Sequence, residues 1–156
     1  MSVALVRVDD RLLHGQVMVG WGRALGMDRV VLVDDTIAET PWEQDLYRLG
    51  VPEGMEVEFV SVTDAARRLA TWEAGPEITG LVIGTVDTAV RLADLAALPA
   101  INLGGVHHRP ERRERLPYVF LTDHELQSLL ALAARGIAIT AQDVPTARAV
   151  PIEALR

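Results

Sequence analysis

Residues 8 to 17 read VDDRLLHGQV. Two carboxylates (Asp9 and Asp10), a guanidinium (Arg11) and an imidazole (His14) fall within six consecutive residues, and Gly15 follows at once. Histidine offers a neutral nitrogen nucleophile near pH 7. Arg11 offers a planar cation that can bridge phosphate oxygens. Gly15 has no Cβ, so backbone there can approach a bulky anion. The set suits a phosphoryl group carried on the imidazole itself. Phosphoryl transfer spreads charge over three equatorial oxygens, so it needs positioning and positive field more than proton chemistry. Asp9 and Asp10 could hold Arg11, or accept the imidazole N–H and fix its tautomer. A carboxylate aimed at the phosphate would repel it, so both are expected to face Arg11 or backbone N–H groups. The same residue types also fit an ordinary loop histidine beside a surface ion pair, and chemistry alone leaves both readings open.

The elements that must position this loop alternate along the chain. Residues 3–8 read as a buried strand, being β-branched and nearly all apolar. Residues 16–26 carry Val17, Trp21 and Leu25 on one helical face, although Gly20 and Gly22 weaken that helix. Further strands are expected at 29–33, 55–62, 78–84, 100–105, 117–121 and 137–144. Helices are expected at 41–50, opened by Pro41, and at 63–75, 87–98 and 122–136, the last with a capping box of Thr122 and Glu125. Apolar strands alternating with amphipathic helices predict a single α/β domain over residues 1–156. Its sheet should be mostly parallel, with helices on both faces. In such sheets ligands gather at the carboxyl ends of the strands. The loops expected there are 9–15, 34–40, 84–87 and 104–116.

Bulk composition narrows the classes. Apolar residues make up 49% of the 156, which suits a globular core. There is no cysteine, which excludes disulfides, thiolate catalysis and cysteine-ligated zinc. The net charge of −7 argues against a nucleic-acid partner, because phosphate contacts need a basic face. No apolar run approaches the roughly 18 residues that span a bilayer, and the start of the chain lacks a basic n-region, so a cytoplasmic location is expected. No G-x-G-x-x-G or P-loop supports a nucleotide cofactor, and no metal motif is present.

Further candidate residues lie near the predicted ligand edge. His107 and His108 follow the Gly104–Gly105 pair, and one of them could stand beside His14 as a donor or pocket wall; a plain surface loop is the competing reading. Arg109, Arg112, Arg113 and Arg115 form a local cationic run, with solvated surface the expectation for the last three. Asp34, Asp35 and Thr36 end the second strand at the same edge. His124 belongs to a capping sequence, and Asn102 is expected to hydrogen-bond at a strand end.

The segment RVDDRLLHGQV resembles the N-terminal signature of the IIB subunit of the mannose/fructose/sorbose family of the bacterial sugar phosphotransferase system. Arg7, Asp9, Asp10, Arg11, Leu12, His14, Gly15, Gln16, Val17 and Trp21 carry the match. INLGGVHHR, through Asn102, Gly104, Gly105 and Arg109, resembles a second block, and ARGI at 134–137 a third. Val86 and Phe120 stand where the family often has proline and serine. The resemblance implies a mostly parallel sheet of about seven strands. It implies that His14 receives a phosphoryl group on Nδ1 from a histidine of a IIA partner and passes it to a sugar brought in by membrane subunits IIC and IID, with Arg11 stabilising the phosphate. The expected phosphate-binding set is Asp9, Asp10, Gly15, Gln16, His107 and Arg109. A peripheral position at the inner membrane face through IIC and IID follows, and a homo-oligomer is compatible. The alternatives are a regulatory phosphohistidine protein without sugar transfer and a non-covalent ligand-binding module.

Overall fold

Seven strands form one sheet in the order β3-β2-β4-β1-β5-β8-β9 in the computed structural model, which describes residues 2–156. The members are β1 (Val3–Val8), β2 (Arg29–Val33), β3 (Glu56–Val60), β4 (Thr79–Ile83), β5 (Ala100–Leu103), β8 (Ala138–Ala141) and β9 (Val150–Pro151). All neighbours pair parallel except β8 and β9. The helices are α1 (Gly22–Leu25), α2 (Pro41–Arg48), α3 (Val62–Ala74), α4 (Val86–Leu95) and α5 (Asp123–Ala134).

The sheet is buried on both faces because its strands are apolar on both. Val30 and Leu32 of β2 pack with Leu5, Val17, Met18 and Trp21, whereas Val31 and Val33 pack with the cores of α3 and α4. This is the two-residue period of a strand read against two helix layers. In β1 the register slips between Val3 and Leu5, so Val3, Val6 and Val8 share the larger core while Leu5 points to the smaller one. Burying each such Val or Leu contributes about 2 kcal/mol.

Four local outcomes differ from the sequence expectations. The first helix opens as a π-helical turn, Gln16–Trp21, before α1. Strand 55–62 stops at Val60, because the Ser61 hydroxyl accepts the Asp64 N–H and starts α3. Residues 117–121 do not join the sheet. β7 (Val119–Leu121) pairs antiparallel with β6 (Arg113–Leu116) in a separate hairpin, since only two residues connect them and a parallel pairing needs a long crossover. The seventh place in the sheet is taken by the two-residue β9, which carries no strand pattern of its own. Thr122 and Glu125 form the expected capping box on α5.

Candidate functional site

β1 and β5 are neighbours, yet the chain leaves them in opposite directions: from β1 towards β2, and from β5 through the hairpin and α5 towards β8. That divergence opens a crevice at the carboxyl ends of the two strands, the place where doubly wound sheets bind ligands. Backbone bonds pin its rim. Asp9 N–H donates to Ile83 of β4 at 2.8 Å, Asp10 N–H to Gly105 at 2.8 Å, and Gly104 N–H to Val8 at 2.8 Å. The loop then turns sharply. Leu12 N–H returns to the Asp9 carbonyl, and Leu12 adopts φ 59°, a left-handed conformation unfavourable for a bulky residue. Its side chain sits over Gly84, where a Cβ would stand 2.9 Å from Leu12 Cδ2. His14 emerges at the end of this turn, and its carbonyl takes the N–H groups of both Val17 and Met18.

Asp9 is fully buried and is the hub of the site. Oδ1 accepts the Arg11 N–H at 3.1 Å and lies 3.8 Å from Arg11 Nε. Oδ2 lies 3.4 Å from Arg7 Nε, 3.4 Å from Gly105 N, and 3.1 Å from His14 Nε2, a close contact whose angle departs from hydrogen-bond alignment. A proton on Nε2 faces this carboxylate favourably and a lone pair would not, so the geometry favours the Nε2–H tautomer and leaves the lone pair on Nδ1. The His14 side chain is 18% exposed, so the ring sits at the rim rather than in the core. Arg11 is half-exposed beside it and donates to Gln16 Oε1; Gln16 Nε2 in turn donates to the Asp143 carbonyl at 3.1 Å and carboxylate at 2.9 Å.

Beneath the hub lies Arg7, which is completely buried in β1. It donates to Asn102 Oδ1, to the Gln142 carbonyl at 2.9 Å and to the Asp143 carbonyl at 3.0 Å, and it stacks 5.0 Å over the Trp21 ring. Burial pulls its pKa below the ordinary value, opposed by the Asp9 carboxylate. Gly104 makes this possible: a Cβ there would overlap Nη2, Cζ and Nε of Arg7. In the sequence Arg7 stands out only as part of the matching motif. Its signal is a charge inside an otherwise apolar strand, which in a buried sheet demands partners.

The remaining predicted residues divide. Asp10 faces His107, accepting its backbone N–H at 2.7 Å on Oδ2 and meeting ring Nδ1 with Oδ1. His107 thus joins the crevice. Arg109 is exposed, and only its carbonyl bonds, to Arg112 N–H. Gly15 has a helical φ of −54° and open space where a Cβ would be, so its bareness leaves the surface beside His14 uncovered rather than relieving a strained backbone. The expectation of solvated Arg112 and Arg115 is overturned. Their side chains are 7% and 5% exposed, because Arg112 forks onto Glu125 with two 3.0 Å bonds and Arg115 reaches Asp123 and the Leu121 carbonyl. Arg113 is exposed as expected. Asp34 accepts the N–H groups of Thr36 and Ile37, while Asp35 accepts that of Val62 and pairs with Arg91, so both brace the β2 exit.

The fold and crevice define a doubly wound α/β domain that presents a carboxylate-backed histidine at its switch point. The chain belongs to the sorbose subfamily of IIB components of the sugar phosphotransferase system, whose family model matches residues 3–155. It is 27% identical over 146 residues to the N-acetylgalactosamine-specific phosphotransferase enzyme IIB component 1 of Escherichia coli K12, covering 92% of each chain. It is 26% identical over 147 residues to the mannose-specific EIIAB component of the same organism, matching 94% of this chain but 46% of that one. The solved structure of manxB from Thermoanaerobacter tengcongensis superposes with a TM-score of 0.88 at 28% identity, over 98% of this chain and 93% of that one. Membership places this chain in sugar phosphotransfer. Among the described residues no helix is long and apolar enough to cross a membrane.

Proposed function

We propose that the chain is a phosphocarrier, acting as one IIB unit over residues 1–156. His14 Nδ1 accepts a phosphoryl group from a phosphohistidine of a IIA protein and passes it to a sugar during uptake. The observation that carries this reading is Asp9 Oδ2 at 3.1 Å from His14 Nε2. A proton on Nε2 is favoured beside that carboxylate, which leaves the nucleophilic lone pair on Nδ1. The Nδ1–P bond forms as the donor's P–N bond breaks and its electron pair returns to the donor ring. Arg11, held by Asp9 and Gln16, is the cation that meets the equatorial oxygens. Gly15 leaves room for them. The relative that carries A and B in one name supports a IIA donor. Membrane subunits IIC and IID would then present the sugar to a carrier that works from the cytoplasmic side.

Intact-mass measurement after incubation with a phosphorylated IIA protein tests this. One acid-labile phosphate is expected on the wild type and none on His14→Ala. No gain with a competent donor would leave a non-covalent binding module. A gain that reaches no sugar would leave a regulatory phosphoprotein.

A further inference from the structure

The loading step leaves the Asp10–His107 pair without a task. His107 stands on the β5 side of the crevice, facing the His14 loop, with its side chain 52% exposed. One carboxylate holds it twice, by backbone N–H and by ring Nδ1, which fixes both its position and its rotation. Its Cε1 edge turns over Gly105: a Cβ there would lie 2.9 Å from His107 Cε1, 3.4 Å from Asp9 Oδ1 and 3.6 Å from Arg11 Nε. His107 therefore borders the Arg11 end of the phosphoryl site across a bare Cα. With Nδ1–H given to Asp10, Nε2 keeps the lone pair. This is the division of labour by which a carboxylate turns an imidazole into a base.

We infer that His107 is the general base of the sugar half-reaction and Asp10 its positioning residue, a role that rests on the carrier reading above. The attacking sugar hydroxyl gives its proton to His107 Nε2, and its oxygen bonds to phosphorus. The P–Nδ1 bond of His14 breaks, and its electron pair returns to Nδ1, while Nε2 keeps the proton that faces Asp9. The imidazolium formed on His107 pairs with Asp10 and loses its proton to solvent at the exposed edge. Transfer from one histidine to another removes no hydroxyl proton, so the base is idle during loading. The charged groups facing His107 are Asp10 at the ring, Arg112, which donates to its carbonyl at 3.1 Å, and Asp9 and Arg11 across Gly105.

The two half-reactions separate the test. His14 is loaded by a phosphorylated IIA protein. The phosphoprotein is then mixed with membranes bearing IIC and IID and, in turn, with mannose, fructose, sorbose and N-acetylgalactosamine. His107→Gln is expected to slow phosphosugar formation by about 10²-fold and loading by no more than about threefold. Asp10→Asn, whose amide donates to Nδ1 and forces the proton onto Nε2, gives the same loss. A His107→Gln protein that delivers phosphate at the wild-type rate overturns the base. So does a fully active His107→Arg, which would make the ring a plain cation. A wild type that loads but delivers to none of the four sugars overturns the sugar-carrier reading, and the base with it. If no phosphoprotein forms at all, the carrier reading falls first and takes the base with it.

Discussion

One buried carboxylate, Asp9, gathers four residues around its two oxygens: Arg7 and Arg11 by their guanidinium groups, His14 by its imidazole, and Gly105, like Arg11, by its backbone N–H. Two of these, Arg7 and Gly105, fix the carboxylate. Of the other two, Arg11 is tethered to it by its backbone N–H, and His14 Nε2 lies 3.1 Å from it. Arg11 is the partner whose loss should be felt in rate and not in folding, because its side chain is 47% exposed. Arg11→Gln should slow loading of His14 by more than about 10-fold, since the transition state loses its nearest cation. Rapid-quench phosphorylation reads this, and an unchanged rate would remove Arg11 from the chemistry. At this scale the sequence is legible where chemistry and position coincide. His14, Arg11 and Asp9 stand within one turn of each other, and their types alone suggest an anion site. Arg7 and Asn102 are less legible, because their work is done across strands that lie far apart in the chain.

The elements around the crevice depend on ion pairs that look like surface charge in the sequence. Arg112 and Glu125 join the loop after β5 to the first turn of α5, and Glu125 also completes the capping box. Burial pushes the Glu125 carboxyl up, but the Arg112 guanidinium and the Thr122 N–H outweigh it and hold the pKa below the usual value. A carboxylate whose folded pKa is depressed contributes stability that is complete above its unfolded pKa and is lost as pH falls through the folded one. Urea midpoints should therefore fall on acidification below about pH 4.5. Glu125→Gln should be about 1–2 kcal/mol less stable at neutral pH and lack this part of the slope, so the two proteins converge in acid. Parallel midpoint curves would refute the pairing. The arginine-rich run hid this arrangement. Its partners lie on α5 and in the hairpin, and nothing in residues 107–116 says that β6 turns back antiparallel on β7.

At the scale of the molecule, most of the architecture follows from strand and helix patterns with different periods. Five parallel strands with largely apolar runs, β1, β2, β4, β5 and β8, could be read directly, as could the edge where ligands gather. β9 could not, since a two-residue strand has no period, and the apolar half of the hairpin has the pattern of a sheet strand although it pairs with β6. Arg7 ties the distant parts together: it belongs to β1 and reaches β5 through Asn102 and the segment after β8 through two carbonyls. Gly104→Ala would drive a methyl into that guanidinium, which is held on several sides and cannot swing away cheaply. A loss of about 3 kcal/mol and a lowered Tm are expected, with hydrogen exchange quickened in residues 142–149. A thermal midpoint equal to the wild type would show that the cluster yields at little cost.

The helix α2 buries none of its residues, and its Trp42 is 65% exposed, whereas Trp21 and Trp72 are 6% and 2% exposed. Trp42, Leu46 and Tyr47 share a groove of about 430 Å³ with Leu13, the residue next to His14. The chain thus carries one wet indole against two dry ones. Any macromolecule that settles on this flank would shift that one emission to the blue while the other two hold the baseline, so encounters near His14 could be followed optically without attaching a dye.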